Sequence, residues 1–298
     1  MDVKDLFILV GLFFFFYSIC LWSNSQEHFE DETTIVDKIY DALYAGIYKP
    51  LWHSSEDKLG FERVSIQDIA LSDQPITDLK ILDMACGISQ NACFFTSLGV
   101  EYIGVDTSSE MLDEARKNCP TAIFKKGDIT QVSIFTPKSF STCLLLGFAI
   151  YEFPNSKVIF DNAYAWLKPD GYFVVHMVDP DTYDPLLDLA SPFAGFSLQK
   201  YSFERQTKSE IYFNDFKYIG ELKKKKDNDD AIFKETFVYF NPSKNPSGTK
   251  YREQSREWNM PSVERLIEIA KTSGFRLKEK VSLRPASKEY QYLVYFTK

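Results

Sequence analysis

Between residues 79 and 180 the chain alternates short apolar runs with amphipathic segments of helical period, and this alternation limits the folds open to it. LKILDMA (79–85), EYIGVD (101–106), AIFKKGDI (122–129), FSTCLLLGFAI (140–150) and YFVVHMVD (172–179) read as strands. SQNACFFTSLG, SSEMLDEARKNC and SKVIFDNAYAWLKPDG read as the helices between them, the last stopped by Pro169 and Gly171. Apolar strands separated by amphipathic helices make a parallel sheet covered on both faces.

The flanks differ in style. TTIVDKIYDALYAGIYKPLW (33–52) carries Ile35, Ile39, Leu43 and Ile47 at helical spacing, with Tyr40, Tyr44 and Tyr48 as an adjoining row. Thr33 or Thr34 is placed to cap this helix and Pro50 to end it. After Pro180, residues 209–240 read as two alternating strands joined by a solvated KKKKDNDD tip. SVERLIEIAKTSGF is an amphipathic helix with Gly274 at its C-cap, and RLKEKVSL and YQYLVYFTK read as closing strands.

The run from Leu6 to Trp22 carries no charge. At ~1.5 Å per residue it reaches roughly 25 Å, enough to cross a thin bilayer. Tyr17 and Trp22 suit the interface. We expect a single-pass anchor over residues 1–26. The rival is a cleaved signal peptide: Ser23-Asn24-Ser25 favours it, and the lack of a positive n-region in MDVKD opposes it. The expected class is α/β: a doubly wound, mostly parallel seven-stranded sheet with helices on both faces, a β-rich insertion before the last strands, and an N-terminal transmembrane helix. Residues 27–78 are the expected linker and lid helices. Residues 79–298 are the main domain, in which 181–260 would cover a substrate.

A net charge of −8 argues against a general nucleic-acid binder. The five cysteines form no C-x-x-C pair, and with three scattered histidines no metal site is expected. The thiols read as reduced.

Open parallel sheets bind ligands at the carboxyl ends of their strands. The first strand-to-helix turn is Asp83-Met84-Ala85-Cys86-Gly87-Ile88-Ser89. It lacks the G-x-G-x-x-G of a dinucleotide site. An Asp ends the strand instead, suited to a cationic group. Asp106 ends the second strand twenty-three residues later, a spacing that suits ribose hydroxyls, and Asp128 ends the third, where it could accept from an amino group. Three carboxylates at three successive strand ends form a constellation.

ILDMACG, YIGVDTSSEMLDEAR and FKKGDI resemble the first three motifs of class I S-adenosylmethionine-dependent methyltransferases. FSTCLLLGFAIYEF and WLKPDGYFVVHMVDP are similar to the fourth-strand and helix-Pro-x-Gly-strand segments of that superfamily. The resemblance spans about residues 35–180. It implies S-adenosyl-L-methionine as cofactor. Asp83, Ala85, Cys86 and Gly87 would border its methionine part. Asp106 would hold the ribose, with Thr107 and Met111 nearby, Asp128 and Ile129 would meet the adenine, and Leu146 and Gly147 would line the floor. The family often has Gly where this chain has Ala85 and Ser89. Ser89 would point a side chain where the cofactor tail passes, and a positive φ there would strain it.

Methyl transfer from a sulfonium needs alignment more than acid–base help, so no catalytic triad is expected. Tyr151, Glu152 and His176 are the candidates on the acceptor side, each with a competing reading: packing, solvation at a helix start, and a satisfied core residue, respectively. Tyr40 and Tyr44 could close over the cofactor. Aromatics at 183, 193, 196, 201 and 203 suggest an apolar or aromatic acceptor. The expected function is methyl transfer to a small-molecule or lipid-like acceptor near a membrane, with residues 27–298 on the cytosolic side. The alternative is a non-catalytic, membrane-anchored methyltransferase-fold protein acting as an interaction module.

Overall fold

A computed structural model of the chain describes residues 33–298 except 37, 53–54, 73, 191–198, 200–201 and 226–227. The expected anchor over residues 1–26 lies outside the described residues, as do Phe193, Phe196 and Tyr201. No helix among the described residues is long and apolar enough to cross a membrane.

Seven strands form the central sheet: β2 (Lys80–Met84), β3 (Glu101–Asp106), β4 (Ile123–Lys126), β5 (Phe140–Leu145), β6 (Leu167–Val178), β11 (Arg276–Ser282) and β12 (Gln291–Thr297). Their order is β11-β12-β6-β5-β2-β3-β4. The sheet is mixed: β12 pairs antiparallel with both β6 and β11, while the remaining pairs are parallel. The strand order reverses between β2 and β5, the switch point at which such sheets bind ligands.

Helices α3 (Ala92–Ser97), α4 (Ser109–Asn118), α5 (Ser156–Trp166) and α6 (Val263–Thr272) connect these strands. α4 and α6 each begin on a serine whose hydroxyl accepts from the third amide of the helix. Gly274, at φ +100°, follows α6, as its sequence position implied. Two apolar clusters pack on the sheet, one around Trp166, Phe160 and Phe173, the other around Phe95, Tyr102 and Tyr295.

The cover is more extensive than the sequence reading. A second sheet runs β1-β10-β9-β8-β7, from β1 (Thr33–Ile35), β7 (Lys208–Tyr212), β8 (Phe216–Lys224), β9 (Asp230–Tyr239) and β10 (Tyr251–Asn259). The expected two strands of 209–240 are three, because the chain turns back at residues 213–215. Thr33 and Thr34 do not cap a helix. They pair in β1 with Tyr251 and Arg252 of β10. Helix α1 starts only at Ala42 and runs to Trp52, through Pro50. α2 (Glu56–Ile66) follows, with Ser55 as its cap. Tyr44 and Leu51 of α1 pack on Tyr218, Phe237 and Tyr239 of the cover, so α1 lies between the two sheets.

Candidate active site

The turn after β2 alternates its backbone hand. Ala85, Gly87 and Ser89 have φ of 51°, 53° and 49°. For an L-residue this region costs about 1–2 kcal/mol, so Ala85 and Ser89 are held there by their surroundings. The Ser89 hydroxyl donates to Asp83 Oδ2 at 3.0 Å, and Tyr102 Oη donates to the same oxygen at 2.6 Å. Ser89 thus has a positive φ, and its buried side chain points to Asp83. Burial pushes Asp83 up to about 6, against the lowering effect of these two hydroxyls.

The amide of Cys86 donates to the Val105 carbonyl at 2.9 Å, which ties the turn to β3. Asp106, ending β3, accepts from the Gly87 amide on Oδ2 and the Ser108 amide on Oδ1, both at 2.9 Å. Burial raises its pKa, and the backbone donors oppose that rise. One carboxylate thus fixes the starts of two loops. Thr107 beside it is exposed. A side chain at Gly87 would be crowded as well as strained: an added Cβ would stand 3.3 Å from Met111 Cε and 3.7 Å from the Tyr48 ring. Tyr48, one helical turn beyond Tyr44, is therefore the aromatic that reaches this turn.

Asp128 follows β4 and accepts the Thr130 amide and hydroxyl on Oδ1, at 2.9 and 2.8 Å. Ile129 is buried, its carbonyl taken by Asn162. Past β5, Leu146 is half-buried, and Gly147 and Phe148 are consecutive left-handed residues at φ 63° and 70°. A Cβ on Gly147 would meet nothing within 4 Å, so this backbone borders open space. The sequence-predicted cofactor residues on the sheet thus share one edge, at the carboxyl ends of β5, β2, β3 and β4.

The remaining candidates divide. Tyr151 is fully buried; its hydroxyl accepts from the Val178 amide at 2.7 Å and donates to the Val178 carbonyl at 3.2 Å. It anchors the end of β6 and does not face an acceptor. His176 is also buried, 3.1 Å from Gln291 Oε1, with its ring tilted against Phe148 at 4.9 Å. Tyr44 does not close over a cofactor: its hydroxyl donates to Glu235 at 2.6 Å, inside the cover. Tyr40 Oη donates to Glu152 Oε1 at 2.5 Å, while its carbonyl accepts from Ser108 Oγ at 2.7 Å.

Glu152 is the candidate that meets other elements. Arg256 of β10 donates to Glu152 Oε1 and to Tyr40 Oη through Nη1, at 3.1 and 2.9 Å. Nη2 donates to Tyr44 Oη at 3.0 Å and lies 3.3 Å from Glu235 Oε2. Tyr40, Tyr44, Trp52, Phe233 and Trp258 present their rings to the guanidinium at 5.1–5.7 Å. Arg256 and Glu235 were invisible to sequence reasoning, because a charged residue in a polar stretch signals a solvated strand.

Next to this junction lies a cleft partly open to solvent. Trp52, Phe148, Tyr183, Phe233 and Trp258 form its aromatic wall, and Lys58, Asp184, Asp188, Lys288 and Gln291 add polar groups. Phe148, three residues past the end of β5, lines this cavity. Among the described residues, no cluster of His, Cys, Asp or Glu could hold a metal.

Residues 81–171 match the family model of a methyltransferase domain. No curated protein matches the chain. Among solved structures, the CcbJ methyltransferase of Streptomyces caelestis superposes with a TM-score of 0.61 at 16% identity, covering 89% of this chain and 98% of that one. An S-adenosylmethionine-dependent methyltransferase of Clostridium acetobutylicum gives 0.57 at 16%, covering 86% and 97%. The sugar N-methyltransferase KedS8 of Streptoalloteichus gives 0.61 at 12%, covering 92% and 96%. The chain has the class I methyltransferase fold, for which S-adenosylmethionine is the cofactor.

Proposed function

We propose that this protein transfers a methyl group from S-adenosylmethionine to a small-molecule acceptor held in the aromatic cavity under the five-stranded cover. The observation that carries the reading is Asp106, which holds Gly87 and Ser108 by their amides at the switch-point edge of the sheet. The residues present fit the cofactor. Gly87 leaves backbone bare, the Ser89 hydroxyl is engaged by Asp83, and a buried and a half-buried carboxylate, Asp83 and Asp106, stand at adjacent strand ends. Asp106 would accept from the ribose hydroxyls, with Thr107 and Met111 beside it. Asp128 and Ile129 would meet the adenine, and Asp83 with Ala85–Gly87 would border the methionine part. Leu146 and Gly147 would form the floor.

The cofactor supplies a methyl group on a sulfonium, an excellent leaving group. What the chain must add is alignment and exclusion of water. Phe148 and Trp52 wall the space beside the reacting edge, and Glu152 supplies a carboxylate whose Oε1 is clamped by Tyr40 and Arg256. Its role is to orient or relieve the acceptor of a proton. One fact supports a small acceptor: the aromatic lining, which suits the apolar face of a sugar or an aryl ring alike. KedS8 is itself named for a sugar substrate. The lipid-like acceptor and membrane setting rested on residues 1–26, and the described cavity adds nothing to them. Against the non-catalytic alternative, which drew on Ser89, stands the burial of that side chain against Asp83.

Calorimetry of the full chain with S-adenosylmethionine and S-adenosylhomocysteine tests the reading, beside Asp106→Ala. Micromolar binding that weakens at least tenfold in the variant is expected. A folded wild-type protein that binds neither compound would overturn it.

A further inference from the structure

Two thiols meet where α3 begins and α4 ends. Cys93 is the second residue of α3 and is exposed, whereas Cys119, the C-cap of α4, is 1% exposed. The Cys93 sulfur lies 3.3 Å from the carbonyl oxygen of Asn118, the residue before Cys119. Thr96, one turn along α3 on the same face as Cys93, brings its hydroxyl to 3.6 Å from the Cys119 sulfur. The Thr121 hydroxyl completes the group, 3.3 Å from that sulfur and 3.1 Å from the Thr96 hydroxyl. The two thiols are close enough to share a proton.

The surroundings give the two sulfurs different roles. The hydrogen bond to Cys119, with burial adding to it, pushes the Cys93 thiol up to about 11. Burial opposes ionisation of Cys119, but hydrogen bonds from Cys93, Thr121, Thr96 and the Ala122 amide outweigh it and hold that thiol below its ordinary range. The shared proton therefore rests on the exposed sulfur, and the buried one carries thiolate character. Cys119 also ends α4 in a non-helical conformation, at φ −142° and ψ 86°, just before Pro120. Its side chain is thus free of the rotamer limits of a helix interior.

We propose that Cys93 and Cys119 form a redox-modification site, a dithiol that a low-molecular-weight disulfide such as glutathione disulfide converts to an intramolecular disulfide. The Cys93 thiolate attacks one sulfur of glutathione disulfide, breaks that bond and releases one glutathione. The Cys119 thiolate then attacks Cys93 Sγ, breaks the mixed disulfide and releases the second. Two protein thiols are oxidised, one glutathione disulfide is reduced, and the two thiol protons end on the two glutathiones. The first attack is slow near neutral pH, because little of Cys93 is thiolate there; the second is intramolecular. The bridge ties α3 to the end of α4 beside Asn118, whose side-chain amide donates to the Ile88 carbonyl at 3.3 Å. Nothing in this chemistry depends on methyl transfer.

The test treats the reduced full chain with glutathione disulfide at mildly alkaline pH, quenches in acid, blocks the remaining thiols and maps the digested peptides by mass spectrometry. Wild type should yield a peptide pair joined through Cys93 and Cys119, lighter by two hydrogens and released by dithiothreitol. Cys119→Ser should stop at the first step and accumulate glutathione on Cys93, about tenfold above wild type. Cys93→Ser, a change at an exposed position, should leave Cys119 unmodified. Three results would overturn the proposal: wild type that accumulates the Cys93 adduct without the bridge, wild type whose Cys93 and Cys119 both stay reduced while the oxidant is in excess, or Cys93→Ser that takes up glutathione on Cys119 as fast as wild type reacts. Calorimetry with S-adenosylmethionine is a separate readout, so failure of the bridge and failure of the methyltransferase reading are told apart.

Discussion

Asp83→Asn should make this protein more stable at neutral pH and no more stable in acid. Asp83 is 5% exposed at the end of β2, and burial lifts its carboxyl from 3.8 to about 6. The native state then holds a proton more tightly than the unfolded chain does. Between pH 3.8 and about 6 the native state binds more protons, so stability falls as pH rises through that window and levels off above it. A rise of that size corresponds to roughly 3 kcal/mol, the cost of carrying this carboxylate ionised in the fold. An asparagine carries no such cost, and its amide oxygen still accepts from Tyr102 and Ser89. Urea unfolding of both proteins from pH 4 to pH 8 measures the difference. The variant should match wild type near pH 4 and lead by roughly 3 kcal/mol above pH 7. A constant gap, or a wild-type protein that gains on the variant as pH rises, would refute the reasoning. If the ionised carboxylate is kept for the cofactor, the same variant binds S-adenosylmethionine less well above pH 6 while folding better, a trade-off common at functional sites.

Two further variants probe the turn and the junction. Gly87→Ala places a Cβ at φ +53° and 3.3 Å from Met111 Cε; it should cost about 1–2 kcal/mol in urea unfolding and weaken cofactor binding, and an unchanged midpoint would count against the strained turn. Arg256→Leu leaves Glu235 buried without its cation and should cost about 3–5 kcal/mol; Arg256→Lys should recover little of this, because an ammonium cannot fork between Glu152 and Glu235.

The sheet was legible because its central strands, β2 and β5 above all, are apolar and buried while the helices between strands are amphipathic, so two periods separate between residues 79 and 180. Asp83 and Asp106 were legible for the same reason, each closing an apolar run, whereas Asp128 follows Lys125-Lys126-Gly127 and was legible only by its place after the third strand. β10 was not. Its buried face consists of Arg252, Gln254, Arg256 and Trp258, so the period of two is present in burial but carried by polar residues. β1 was missed for a different reason. Thr33–Ile35 is three residues long, pairs with a strand more than two hundred residues away, and leaves Ile35 largely exposed, while the helical spacing of its isoleucines pointed elsewhere. Tyr44 was placed on the wrong partner because a helical row of tyrosines does not say which of two sheets it will face.

That polar junction explains how cover and cofactor edge keep a common register. A greasy contact between α1, β10 and the end of β5 would tolerate sliding. Here the guanidinium of Arg256 must meet Glu152 from the central domain, Glu235 from β9, and the hydroxyls of Tyr40 and Tyr44 at once, and one arrangement satisfies all four. The desolvation this requires is large, so the junction is weak evidence for stability and better evidence for specificity of assembly. Its consequence is geometric. Tyr40 grips Ser108 through its carbonyl and Glu152 through its hydroxyl, so the segment that completes the acceptor cover is pinned to the loop that Asp106 holds. On the proposed function, the aromatic cavity and the strand-end edge are thereby linked by one connected set of hydrogen bonds, which is what in-line transfer between two separately bound molecules would demand.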